Sequence, residues 1–324
     1  MDKFRIPSLR HDQTLIRVGI PRAFLYYRYK TLWSVFFREL DIETVYSEPT
    51  NRKIEEEGNA ASIDEMCLAM KIYLGHVESL IGKCDYILVP RIVDFGIRRV
   101  MCVSFQGLPD IVRNVFHNKP VKILTYNVQV QKKLTEDKAM IEMAQSLGVP
   151  ATLAKKAYKI AAKAQQRAEE EAAKKADELY RSDGLKIVVA AHSYVLEDEY
   201  IGKPVMDYLK KEGVTVIRAD AVDHKAARNA SAKLSPTLKW ELSREMVGSL
   251  CMHYNKIDGV ILLSAYPCAL DSMVNDMLIR KNEISHIPML QMTLDAQTGT
   301  AGVETRLESF LDIIKMRRSG EATA

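Results

Sequence analysis

The stretch Gly259-Val-Ile-Leu-Leu-Ser264, followed at once by Ala265-Tyr-Pro-Cys268, predicts a short apolar strand, a turn, and a helix over 271–281 with Cys268 near its N-terminus. Outward from it the same alternation recurs. Strands are expected over 186–191, 214–218 and 288–292. Helices are expected over 204–212, where Gly213 stops the chain, over 237–254, and over 303–315 after a polar loop at 293–302. The N-terminal half reads alike. A strand over 15–20 ends at Pro21-Arg22, and a helix over 25–40 offers Tyr26, Trp33, Phe36, Phe37 and Leu40 to a core. A second strand covers 43–47. Ser62-x-x-Glu65 reads as a capping box opening a helix over 63–81, which puts Cys67 one turn inside it. A strand over 86–90 stops at its proline. Residues 91–109 read as a loop carrying Cys102, followed by a helix over 110–115 and a strand over 122–126.

Between the halves, 132–182 is dominated by Ala, Lys, Glu and Gln, with no glycine or proline from Ala151 to Ser182. Propensity makes this a long helix, read as a structural connector. The expected organisation is an N-terminal α/β lobe over 1–131, a helical connector over 132–182 and a C-terminal α/β lobe over 183–324. The fold class is α/β: two Rossmann-like lobes with parallel sheets joined by a long helix. Such lobes take ligands at the carboxyl ends of their strands, so the ligand site is expected in the interlobe cleft.

The 324 residues are 47% hydrophobic and 27% charged, a soluble globular profile. No apolar run reaches bilayer length, and residues 1–11 carry no secretory h-region. A net charge of +4 argues against a dedicated nucleic-acid binder. Five cysteines in so long a chain are no disulfide scaffold. The expected compartment is the cytoplasm, with reduced thiols and no membrane partner.

Three of those cysteines stand in polar or turn-like contexts. Cys67 closes Asp64-Glu-Met-Cys67, Cys102 follows Arg98-Arg99, and Cys268 follows Tyr266-Pro267. Thiolate is the ligand form, and a helix N-terminus lowers a thiol's pKa. Their spacing is too wide for a zinc ribbon. Taken alone, the pattern leaves metal ligands and small buried hydrophobes both open. Cys84, at the lip of a strand, and Cys251, on an apolar helix face, read as the latter.

The motifs Gly19-Ile-Pro-Arg-Ala-Phe-Leu-Tyr-Tyr27, Asp64-Glu-Met-Cys67, Val89-Pro-Arg91, Gly107-Leu-Pro-Asp110, Tyr266-Pro-Cys268 and Thr293-Leu-Asp-Ala-Gln-Thr-Gly299 occur in a shared order. In them the chain resembles the 2-hydroxyacyl-CoA dehydratase / benzoyl-CoA reductase superfamily, and within it the acyl-CoA dehydratase activase-related subgroup, DUF2229. The resemblance runs from about Ile16 to Ile314 and is thinnest over 132–182. It implies two Rossmann-like lobes with a [4Fe-4S] cluster held by three cysteines from separate loops. The matching positions are Cys67, Cys102 and Cys268. Three thiolates would leave one iron open. In the dehydratases of the superfamily two related subunits pair. A separate ATP-dependent activase injects one low-potential electron, and a ketyl radical lets a 2-hydroxyacyl-CoA lose water. The partners so implied are that activase and a second copy or related subunit. A relative with a double-cubane cluster is expected to need six cysteines.

This chain has no GxxxxGK[ST] loop and no GxGxxG fingerprint, so an ATP-driven step belongs to another protein. His192-Ser-Tyr194 follows a strand where the family carries a His-Pro-Tyr-like turn. His192 and Tyr194 are therefore candidates to line a cluster site, or a turn satisfied by backbone. Arg22 and Arg91 each follow a strand and suit either an anionic ligand or a structural ion pair. His76 reads as a packed helix histidine, Glu65 as a capping carboxylate, Asp295 and Thr298 as a turn that could close over the cleft, and Tyr26, Tyr27 and Tyr29 as core. Three functions stay open. One is a [4Fe-4S] redox enzyme or subunit acting in radical dehydration or reduction. The second is an iron–sulfur carrier, scaffold or regulator. The third is a cluster-free solute-binding α/β protein.

Overall fold

The structure, a computed structural model, describes residues 10–11, 14–281 and 286–320. The chain forms two compact units, one made of Met1–Asp64 and Met70–Ala168, the other of Glu65–Ala69 and Glu169–Ala324.

In the first unit, β1 (Arg10–His11) and β2 (Thr14–Leu15) make a small antiparallel pair. There follow β3 (Arg17–Ile20), α1 (Tyr26–Glu39), β4 (Glu43–Tyr46), α2 (Arg52–Ala60), α3 (Leu68–Leu80), β5 (Tyr86–Leu88), β6 (Arg91–Asp94), α4 (Val103–Gln106), α5 (Leu108–Val115), β7 (Ile123–Leu124), β8 (Asn127–Gln129), α6 (Glu136–Ser146) and α7 (Ala151–Arg181). The main sheet is parallel in the order β4-β3-β5-β7, with β6 and β8 paired beside it in a separate two-stranded sheet. The aromatic face of α1 is buried: Tyr29, Trp33, Phe36 and Phe37 are all below a tenth exposed. The Trp33 indole donates to the Tyr126 hydroxyl at 3.0 Å. Gln165 fastens α7 to α1, donating to the Arg28 carbonyl at 2.8 Å and accepting from the Leu32 amide at 3.1 Å.

Three local expectations are corrected. The helix over 63–81 begins at Leu68, because Ser62 does not cap it. The Ser62 hydroxyl turns back onto the Gly58 carbonyl at 2.5 Å and closes α2, a helix whose start is capped by Asn51. Cys67 therefore lies just outside its helix, not one turn inside. The loop over 91–109 contains β6 and α4, with Cys102 at the N-cap of α4. The crossing of α2 and α3 requires glycine. A Cβ on Gly58 would lie 1.9 Å from the Lys71 carbonyl oxygen, and one on Gly75 equally close to that of Ile54.

The second unit continues with β9 (Lys186–Ala190), α8 (Ser193–Leu196), α9 (Lys203–Lys211), β10 (Thr215–Arg218), α10 (His224–Ala230), α11 (Glu241–His253), β11 (Gly259–Ala265), α12 (Ala269–Arg280), β12 (Met289–Leu294) and α13 (Thr300–Ser319). Its sheet is parallel in the order β10-β9-β11-β12. Every residue of β11 is buried, as a central strand covered on both faces demands. The end of α7 belongs here: Ala176 and Tyr180 join a core with Val188, Val260, Leu262 and Leu250.

Both sheets thus carry their strands in one order, second-first-third-fourth. Connections leave the first strand in one direction and reach the third on its other side. That reversal opens a crevice at the carboxyl ends of the first and third strands, where open α/β sheets bind ligands. The crevice lies between β3 and β5 in the first unit and between β9 and β11 in the second. The fold class holds as two Rossmann-like α/β units.

Candidate functional sites at the strand ends

In the second unit, β9 delivers His192 and β11 delivers Cys268 to the two sides of its crevice. His192 caps α8 and Cys268 caps α12. They are tied by Asp271, in the first turn of α12, whose Oδ1 accepts from His192 Nε2 at 2.9 Å. Both side chains are 6% exposed. Tyr194 stacks on the imidazole with centroids 5.2 Å apart. Burial pushes the His192 pKa down. The charge and hydrogen bond of Asp271, with Asp220 and Glu245 contributing, outweigh it and hold the imidazole above its ordinary value.

Cys67 belongs to the same unit. The amide of Leu68, next to it, donates to the Tyr266 carbonyl at 2.7 Å. This backbone bond brings the segment before α3 onto the turn that carries Cys268, and the two thiols feel each other electrostatically. The structure therefore brings Cys67 and Cys268 together beside the His192–Asp271 pair. Cys268 Sγ accepts from the Asp271 amide at 3.5 Å, the position of an N-cap acceptor. The expectation that a helix N-terminus lowers this thiol's pKa is overturned. Burial pushes it far up, the Asp271 carboxylate adds to that, and the single amide does not compensate. One turn further along the same face of α12, Asn275 is 1% exposed, and its amide nitrogen has no hydrogen-bond partner among the described residues.

Behind the crevice lies a charge network that the sequence reading missed. Arg228 Nη1 reaches Glu241 at 3.2 Å and Glu245 at 3.1 Å, and His224 Nδ1 lies 3.2 Å from Glu245. Both glutamates are almost fully buried. Arg218 is held between Asp220 at 2.7 Å and Glu197 at 2.8 Å. The contacts that build the site join residues far apart in sequence. Its one local signal was an acidic residue in the first turn after Cys268.

In the first unit, Arg22 follows β3 and Arg91 opens β6 just past β5. Arg91 Nη2 is committed to Asp110, 2.8 Å from both carboxylate oxygens, and this pair holds Asp110 below its ordinary pKa. Arg22 lies with its guanidinium carbon 5.8 Å above the Tyr46 ring. Its Nε is buried without a hydrogen-bond partner among the described residues. Cys102 is half-buried at the start of α4, and its neighbours Ile97 and Val103 are 83% and 77% exposed. Ile63, four residues before Cys67, and Tyr266, two before Cys268, are also exposed.

His76 is the packed helix histidine expected. It is fully buried, with Thr50 Oγ1 2.9 Å from Nε2 and Ser47 Oγ 2.8 Å from Nδ1. Cys251 is buried in the second core, and Cys84 Sγ donates to the Leu80 carbonyl at 3.5 Å. Asp295 and Thr298 bond to each other in an exposed turn. Among the described residues no group of three or more His, Cys, Asp or Glu side chains stands ready to hold a metal ion. No helix there is long and apolar enough to cross a membrane.

The duplicated strand order of two parallel, helix-covered sheets defines a two-unit α/β protein of the Rossmann-like class. The chain belongs to the family described as CoA enzyme activase uncharacterised domain (DUF2229), which it matches over residues 17–222, more than half its length. No protein of curated function matches it. Among solved structures it is similar to the SBP FpvC of Pseudomonas aeruginosa in complex with Ni2+, at 11% identity and a TM-score of 0.28 over 96% of this chain and 100% of that one. The same protein in complex with Mn2+ matches at 11% identity and 0.28, over 95% and 100%. At that score the likeness carries no argument about fold or ligand.

Proposed function

We propose that this chain is a [4Fe-4S] redox protein of the 2-hydroxyacyl-CoA dehydratase kind, with Cys67, Cys102 and Cys268 as its protein ligands. The observation that carries the reading is the pairing of Cys67 with Cys268 at the crevice of the second unit. The donor set suits the group in part. Thiolates are the ligands such clusters take, and two of the three thiols meet in one place. The orphaned amide N–H of Asn275, on the face of α12 that carries Asp271, suits a sulfur acceptor. Burial holds the proton on Cys268, so as a ligand this thiol would give it up only to the bound metal. When bound, such a cluster supplies low-potential electron transfer.

The chain's own residues have assignable parts. Asp271 fixes the ring orientation of His192 and fixes which nitrogen carries its proton. Tyr194 covers the ring. Arg22, with its buried unpartnered Nε, is the anion binder of the first unit, and Arg91 supports it by holding α5 through Asp110. The exposed Ile97 and Val103 beside Cys102 suit a surface covered by a partner, here the separate ATP-dependent activase, or a second copy or related subunit.

The test is spectroscopic. The protein is reconstituted anaerobically and reduced, and 2-hydroxyacyl-CoA esters are added. A thioester-dependent change in the EPR signal is expected for a catalytic subunit. If no thioester changes the signal while electrons still pass to a partner protein, the protein is a carrier.

A further inference from the structure

Cys67 and Cys268 come together in the second unit by a route that needs no metal. Glu65–Ala69 is the one stretch ahead of residue 169 that belongs to that unit. The Leu68 amide fastens it there by donating to the Tyr266 carbonyl at 2.7 Å. Cys67 directly precedes Leu68, and Cys268 lies two residues past Tyr266. The turn is closed in its own right, since the Cys268 amide donates to the Ala265 carbonyl at 2.9 Å. The two thiols are within electrostatic reach of each other.

Access and placement separate this pair from the other cysteines. Cys67 and Cys268 are both half-buried, open to a small oxidant. Cys251 is buried, and Cys84 Sγ is engaged by the Leu80 carbonyl. Cys102 belongs to the first unit. Folding thus delivers two accessible thiols to one place. Once one of them has reacted, the other attacks from within the chain, at a high effective concentration that a free thiol in solution does not match.

We propose that Cys67 and Cys268 are a redox dithiol that closes to an intrachain disulfide and so regulates the site. The oxidant is a small disulfide of the glutathione kind. One protein thiolate attacks its S–S bond, forming a mixed disulfide and releasing one glutathione. The second protein thiolate attacks the mixed disulfide, forming the protein S–S bond and releasing the other glutathione. Two protein thiols are oxidised, one glutathione disulfide is reduced to two thiols, and both protons pass from protein to glutathione. A closed pair offers iron no thiolate, so cluster loading waits for reduction. That regulation rests on the cluster reading; the dithiol itself does not.

The experiment uses the full, cluster-free chain, reduced and then held anaerobically in excess glutathione disulfide. Tryptic digestion without reductant should yield the 54–71 peptide joined to the 257–280 peptide. That product should exceed every other cysteine pairing by at least about tenfold, and dithiothreitol should reverse it. Cys102→Ala should give the same product. The oxidised chain should take up no iron and sulfide until dithiothreitol is added. If the cross-link forms but the reduced chain never takes up iron, the dithiol is upheld and the cluster reading fails. Equal iron uptake by the oxidised and reduced chains overturns the regulation. No cross-link in excess oxidant, a different main pairing, or a disulfide between chains overturns the proposal.

Discussion

His76 gives this protein a built-in sensitivity to acid. The ring is fully buried, and hydroxyls of Thr50 and Ser47 stand at both its nitrogens. A neutral imidazole donates at one nitrogen and accepts at the other, which two adaptable hydroxyls accommodate. Burial, with the nearby Arg22 cation as a smaller cause, pushes its pKa from 6.5 to about 3. The sign follows directly. Between those values the unfolded chain binds a proton that the folded chain does not, so stability is intact above pH 6.5 and falls as the pH drops toward 3. Each unit below 6.5 costs up to ~1.4 kcal/mol, so at pH 5 this one ring removes roughly 2 kcal/mol. Urea denaturation at pH 7.5 and pH 5, on wild type and His76→Gln, isolates that share. The wild type should lose roughly 2 kcal/mol more than the variant between the two conditions. Equal losses would show that the ring titrates normally and refute the packing argument.

Three further outcomes are expected. Gly75→Ala should destabilise the first unit by about 2 kcal/mol in urea melts, because displacing α2 from α3 outweighs the ~1 kcal/mol gained in helix propensity; a variant as stable as wild type would contradict the close crossing. Alanine at Cys84 or Cys251 should leave bound iron unchanged, and a loss of iron in either would reassign the ligands. Calorimetry with Mg-ATP should show no micromolar binding, since the sequence carries neither phosphate-binding glycine loop.

The alternating strands and helices were legible because each central strand is a short apolar run ended by a turn, as at 259–264. The long helix α7 was legible from composition alone. The failures are physical. The Ser62-x-x-Glu65 pattern satisfies a capping box, but the Ser62 hydroxyl donates back to the Gly58 carbonyl of α2, and the next helix begins only at Leu68. That helix was invisible because its buried face offers only Ile54 as a large apolar residue and carries the helix-weakening Gly58, so no apolar periodicity could be read. The candidate thiols stood out by context, yet no spacing rule could pair Cys67 with Cys268. A backbone bond from Leu68 to Tyr266 does that, across most of the chain. The His192–Asp271 pair was half legible. The histidine follows a strand, but its partner lies 79 residues away.

Cys67, Cys102 and Cys268 are proposed to hold one iron–sulfur cluster. The most direct test is anaerobic reconstitution with iron and acid-labile sulfide counted per chain, on the wild type and on Cys67→Ala, Cys102→Ala and Cys268→Ala. About four irons and four sulfides are expected in the wild type, with an EPR signal after reduction, and loss of both in each variant. A wild type that takes up no iron, or a Cys102→Ala protein that keeps its full cluster, would contradict it.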